Sequence, residues 1–150
     1  MWRRLARLSA WQWSVLLSAP ILLLTTWVKL KSGGYGKTLA WVTADNVKPG
    51  EPGVRPALAR DTAYALAVAV KYGPWRPRCL VRSMTLAWYL GRKGIPFELK
   101  IGVPVGLAVK GQRIEPDFTA HAWVESGGVV LNDRENIAEE YSAFGRDDRR

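Results

Sequence analysis

Cysteine is almost missing from this sequence. Cys79 is the single one in 150 residues, so no internal disulfide can form and a stapled, secreted scaffold is excluded. A reducing compartment, the cytoplasm, is the expected location. Histidine is as scarce, with His121 alone. There is no zinc-finger spacing, glycine-rich phosphate loop or RNA-binding signature, which leaves little support for nucleic acid as a partner. Acid is missing from one end: residues 1–31 carry Arg3, Arg4, Arg7, Lys29 and Lys31 but no Asp or Glu, so more than half of the net charge of +9 lies there. A one-ended excess reads as an attachment arm.

Charge of either sign is missing from "SAWQWSVLLSAPILLLTTWV", residues 9–28. The run has about the length of a membrane span. Pro20 and the polar set Ser9, Gln12, Ser14, Ser18, Thr25 and Thr26 weaken it as one, and no clear small-residue cleavage site follows. The first reading is one or two helices packed on the domain or lying at a membrane surface. A true span comes second and a cleaved signal last.

What is present suits one compact core, since 48% of the residues are hydrophobic. "KSGGYGK" (31–37) reads as a flexible hinge and "VKPGEPGVRP" (47–56) as a loop with turns. These breaks divide an apolar, basic, helical appendage with its linker, residues 1–50, from a main domain, residues 51–150. In "PALARDTAYALAVAVKYG", Leu58, Ala65, Leu66, Ala69 and Val70 recur at helical spacing between Pro56 and Gly73, which predicts a helix over about 57–71. A second helix is predicted from Cys79 to Arg92, preceded by Pro77 and capped by Gly94. "FELKIGV" (97–103), "AHAWVES" (120–126) and "VVLND" (129–133) have strand composition between Gly and Pro boundaries. Helices first and strands later is the α+β pattern.

This places Cys79 in the first turn of a helix, where free backbone N–H groups and the dipole favour negative charge on sulfur. Arg76, Arg78 and Arg82 act in the same direction. A thiolate is the nucleophilic form. The competing reading is that a free cysteine is small apolar filler. His121 stands twelve residues before Asp133 in "HAWVESGGVVLND". With a three-residue loop at Ser126, Gly127 and Gly128, Glu125 would face Val129, and His121 would lie opposite Asp133 on one sheet face. A two-residue loop would put them on opposite faces, and a glycine pair suits either.

A helix-start thiol followed by histidine and aspartate on adjacent strands is the order found in papain-like and transglutaminase-like enzymes. "CLVRSMTLAWYLGRKGIPFELKIGV" with "AHAWVESGGVVLND" resembles the transglutaminase-like leader peptidases of lasso-peptide biosynthesis, in their stand-alone form. The resemblance covers about residues 57–137. It implies a cysteine protease fold with the nucleophile at the start of a helix packed on a small antiparallel sheet. It also implies Cys79 as nucleophile, His121 as general base and acid, and Asp133 as the orienting carboxylate, with no metal or cofactor. The implied activity is hydrolysis at the leader/core junction of a ribosomally made precursor through a thioester. The implied partners are that precursor, a small leader-recognition protein and an ATP-dependent macrolactam cyclase.

The backbone N–H of Cys79 is one expected oxyanion donor. For the second, the chain has only Gln12 and Gln112 as glutamines, and Trp75 is either an indole donor or a packing residue. Trp123 is expected to pack beside His121. Residues 104–119 read as a long connection walling the peptide groove, or as a further hairpin around Lys110 and Gly111. Two rival functions stand beside hydrolysis: acyl transfer to an amine, and a non-catalytic scaffold of the biosynthetic complex.

Overall fold

The computed structural model describes residues 8–44, 55–104 and 120–143. Helices α1 (Ala10–Thr43), α2 (Pro56–Tyr72) and α3 (Cys79–Arg92) lead into strands β1 (Glu98–Pro104), β2 (His121–Ser126) and β3 (Val129–Val130). A short helix α4 (Ile137–Glu140) and strand β4 (Tyr141–Ala143) follow. The strands form one antiparallel sheet in the order β3-β2-β1-β4, so the fold is α+β.

A capping box starts α1: the Gln12 backbone N–H donates to Ser9 Oγ at 3.2 Å, and the Ser9 N–H donates to Gln12 Oε1 at 2.8 Å. Gln12 is therefore a capping residue, committed far from Cys79 in sequence. Gly34 (φ 73°, ψ 179°) interrupts the helix. Lys29 Nζ lies 4.9 Å from the ring centre of Trp41. A straight helix would separate those residues by about 18 Å, so the chain turns back at Gly34. The segment expected to be a flexible hinge is instead helical on both sides of a one-residue break. Only a residue free to take positive φ makes that turn cheaply.

The first arm of α1 buries Val15, Ala19, Leu22 and Leu23 in the same core as Ala63 and Leu66 of α2 and Met84, Leu86 and Leu90 of α3. Two of the polar residues that weaken this arm as a span tie it down. Ser18 Oγ lies 2.6 Å from the Tyr89 hydroxyl, and Thr85 Oγ1 donates to Thr26 Oγ1 at 3.1 Å. Trp11 Nε1 donates to Thr62 Oγ1 at 2.9 Å. Pairing these groups removes the cost of burying them. Burial pushes the Tyr89 phenol above its ordinary value, opposed by the bond to Ser18. Among the described residues α1 is the helix long and apolar enough to cross a membrane. The boundary expected near residue 50 falls in a stretch outside the described residues.

Pro56 opens α2 at a position whose N–H would be free in any case. α3 ends at Gly94 (φ 63°), where the N–H groups of Gly94 and Ile95 return to Gly91 O (2.9 Å) and Leu90 O (3.0 Å). The buried Ile95 and Phe97 then carry the chain into β1. β1 and β2 pair Glu98 with Glu125, Lys100 with Trp123 and Gly102 with His121. Alternation sends Val124 into the helical core and sets His121 and Trp123 on the opposite face.

The β2–β3 hairpin takes the shorter of the two loops that the glycine pair allows. Ser126 pairs with Val129 and Glu125 with Val130, around a two-residue turn in which Gly127 (φ 58°) and Gly128 (φ 77°) are both left-handed. That is the turn whose twist matches its strands, and it requires positive φ at both positions. β3 also ends at Val130, so residues 131–133 are a bend and not the strand that was expected.

Candidate functional site

Cys79 is the first residue of α3, and its N-cap, Arg78, is extended (φ −65°, ψ 161°) with no side-chain cap. The helix start therefore keeps first-turn N–H groups uncapped by any side chain beside the thiol. Cys79 is free and half-buried. Its Sγ lies 3.9 Å from the carbonyl oxygen of Ala120, the residue before His121. The site thus forms where the start of α3 meets the start of β2.

One turn along α3, Ser83 fixes that meeting. Its Oγ donates to Ala122 O at 2.8 Å and accepts from Asn132 Nδ2 at 2.8 Å. Asn132 Oδ1 in turn accepts the Val124 N–H at 2.8 Å, a donor that a longer β3 would have paired through its backbone. The ladder keeps one further bond, from Leu131 N–H to Val124 O at 2.9 Å. Asn132 thus ends the strand by substituting a side-chain amide for a backbone carbonyl. The bend that follows brings Asp133 onto His121 despite the two-residue turn. The expected contact is present, but it is made by this bend and not by strand pairing.

His121 Nε2 is hydrogen-bonded to Asp133 Oδ2. The other carboxylate oxygen, Oδ1, accepts the Arg134 N–H at 2.8 Å, so both oxygens are engaged. With Nε2 occupied, Nδ1 is the ring nitrogen left for a partner. The imidazole is flanked by Trp123 (6.4 Å between ring centres, 21° between planes) and Tyr141 (5.2 Å, 39°). Trp123 is fully buried over Gly102, where an added Cβ would meet its ring at 2.9 Å and Ser142 O at 2.9 Å. Its indole donates to Glu125 Oε1 at 2.8 Å, and Glu125 Oε2 pairs with Lys100 Nζ at 2.7 Å. The hydrogen bond to Glu125 holds the Lys100 ammonium above its ordinary pKa, against the opposing effect of burial.

Trp123 therefore packs beside the histidine. Trp75 meets Trp27 of α1 edge-on, with ring centres 6.2 Å apart. Gln112 and the connection over residues 105–119 lie outside the described residues. Ser83, Asn132, Gly102 and Tyr141 were not identified from the sequence. Ser83 carries a signal, four residues after Cys79 on one helix face. Asn132 sits next to Asp133 and Gly102 within "KIGV". Tyr141 is in a three-residue strand with no pattern to read.

A helix-start thiol that approaches the residue before His121, with His121 itself held by a carboxylate, brings together groups able to supply a nucleophile and a proton carrier. The model of the transglutaminase-like superfamily matches residues 22–145. The microcin J25-processing protein McjB of Escherichia coli is 29% identical over 110 residues, covering 72% of this chain and 48% of that protein. The chain thus spans about half the length of this curated relative. No solved structure matches it significantly.

Proposed function

Because the chain belongs to the transglutaminase-like superfamily, we propose that it is a cysteine peptidase of lasso-peptide biosynthesis, which removes the leader from a ribosomally made precursor. The observation that carries this reading is the His121–Asp133 contact beside the helix-start thiol of Cys79. The microcin-processing role of the Escherichia coli relative supports the substrate class.

In this mechanism His121 Nδ1 takes the Cys79 proton, and the sulfur attacks the carbonyl carbon at the leader/core junction. The oxyanion forms against the Cys79 backbone N–H. The C–N bond breaks as the imidazolium gives its proton to the leaving amine, which frees the core and leaves the leader as a thioester. Water then loses a proton to His121 and attacks the thioester. The leader departs as a carboxylic acid and Cys79 regains its proton. Asp133 stabilises the imidazolium that forms.

The precursor is delivered by a small leader-recognition protein, and the freed core amine passes to an ATP-dependent macrolactam cyclase. Delivery makes the junction an intramolecular substrate at an effective concentration in about the millimolar range, which offsets weak intrinsic affinity. The protein works in the cytoplasm with α1 lying on the membrane surface. Leu17 and Ile21 are each 72% exposed on its outer face, and the residues around them are basic or neutral. Its inner face is hydrogen-bonded to α2 and α3, bonds that a span would have to break.

The test is a cleavage assay with protein, precursor and leader-recognition partner, each omitted in turn. Efficient leader removal is expected only with all three present. Cleavage unchanged by omitting the partner would refute delivery, and a product carrying an added amine would identify acyl transfer instead of hydrolysis.

A further inference from the structure

Beside Asp133 the surface opens into a groove of about 650 Å³ between α2, Arg82 of α3 and the exit of the hairpin. Among the described residues, five cations line it: Arg60, Lys71, Arg76, Arg82 and Arg134. The one acid among those lining residues, Asp133, already holds His121 and the Arg134 N–H. Among the described residues, no carboxylate lies within ion-pair distance of Arg60, Lys71, Arg76 or Arg82, while Arg134 reaches Glu140 only at 4.0 Å. Arg60 and Lys71 stand about 16 Å apart along α2, so the positive charge runs the length of the groove. Like charges gathered this way repel, and an anionic ligand relieves the repulsion.

Between the cations the wall is apolar, made by Leu66, Val70 and Leu131. We infer that the groove binds an acidic segment of the peptide substrate, its carboxylates pairing with the arginines and its aliphatic side chains seated between them. A nucleic-acid strand fits less well, because Tyr64 is the single aromatic among the described lining residues and successive bases need a series of stacking faces. The groove reaches the site through Asp133, so a peptide held there has its neighbouring residues close to the candidate triad. This inference rests on the peptidase reading.

The test uses full-length Cys79→Ala protein, so that nothing turns over. The probes are a fluorescein-labelled peptide of alternating Glu and Leu, a matched Gln and Leu peptide, and a labelled oligothymidine. Anisotropy should show the acidic peptide binding most tightly, with affinity falling as salt rises. Arg60→Glu and Lys71→Glu lie on α2, away from the thiol, and each should weaken that binding by about tenfold or more. In the protein that retains Cys79, the same two changes should leave hydrolysis of a small activated ester unaltered. Equal affinity for the acidic and neutral peptides, or binding indifferent to both substitutions, would overturn the inference. So would oligothymidine bound as tightly as the acidic peptide and lost in the same variants. Acidic-peptide binding in a protein that cleaves neither ester nor precursor would remove the peptidase reading and leave the groove's ligand class standing.

Discussion

The two sides of the candidate triad are held in place by different physics. Cys79 belongs to a helix whose following turns carry Val81, Met84, Leu86, Ala87 and Leu90 into the main core, so many apolar contacts locate the thiol. Asp133 belongs to a bend located by the Asn132 amide, the Ser83 hydroxyl and a two-glycine turn. Apolar packing spreads its stabilisation over many atoms, whereas the bend depends on a few directional bonds. The first side should tolerate conservative change, and the second should fail at single atoms.

The largest effect is expected from the atom that both sides serve. Cys79→Ala should abolish leader removal while circular dichroism and melting temperature stay near wild type, because the change is small and half-exposed. Next comes Asp133→Asn, which keeps the shape of the bend but loses the charge that stabilises the imidazolium. It should lower kcat by roughly three to four powers of ten and change precursor affinity little. Equal losses in turnover and binding would make the aspartate structural.

Leu90→Ala probes the packed side. It should cost about 2–5 kcal/mol in chemical denaturation, while alkylation of Cys79 in the folded protein proceeds at the wild-type rate. Asn132→Ala leaves the Val124 N–H and one bond of Ser83 unmet, at a cost of about 1–3 kcal/mol. Unlike Leu90→Ala, it should also lower turnover, since Asp133 follows it directly. A turnover loss in Leu90→Ala equal to that in Asn132→Ala would erase the distinction between the two sides. The smallest effect is that of Gly128→Ala, where a side chain at φ 77° should cost about 1–2 kcal/mol.

The same division explains what the sequence revealed. α2 and α3 are legible because apolar spacing and end signals agree: a proline at or before the start and a glycine after the end bound each helix within a residue or two of where it lies. The helix-start position of Cys79 follows from those signals. The hairpin turn is not legible, because a Gly-Gly pair serves loops of two or three residues equally. Nor does composition announce that Asn132 will end a strand, since "VVLND" keeps strand character through Leu131. His121 and Asp133 still meet, by a route that pairing rules do not describe. Gly34 is a parallel case, in which a glycine-rich run reads as a hinge although one positive φ angle suffices to fold α1 back on itself.

Joint action of Cys79, His121 and Asp133 as one hydrolytic unit on a peptide bond can be followed in heavy-oxygen water. Precursor, leader-recognition partner and protein are mixed, and the released leader is weighed by mass spectrometry. One heavy oxygen is expected in the new leader carboxylate with wild-type protein, and no released leader with Cys79→Ala. Leader release that persists in Cys79→Ala at the wild-type rate would contradict that joint action.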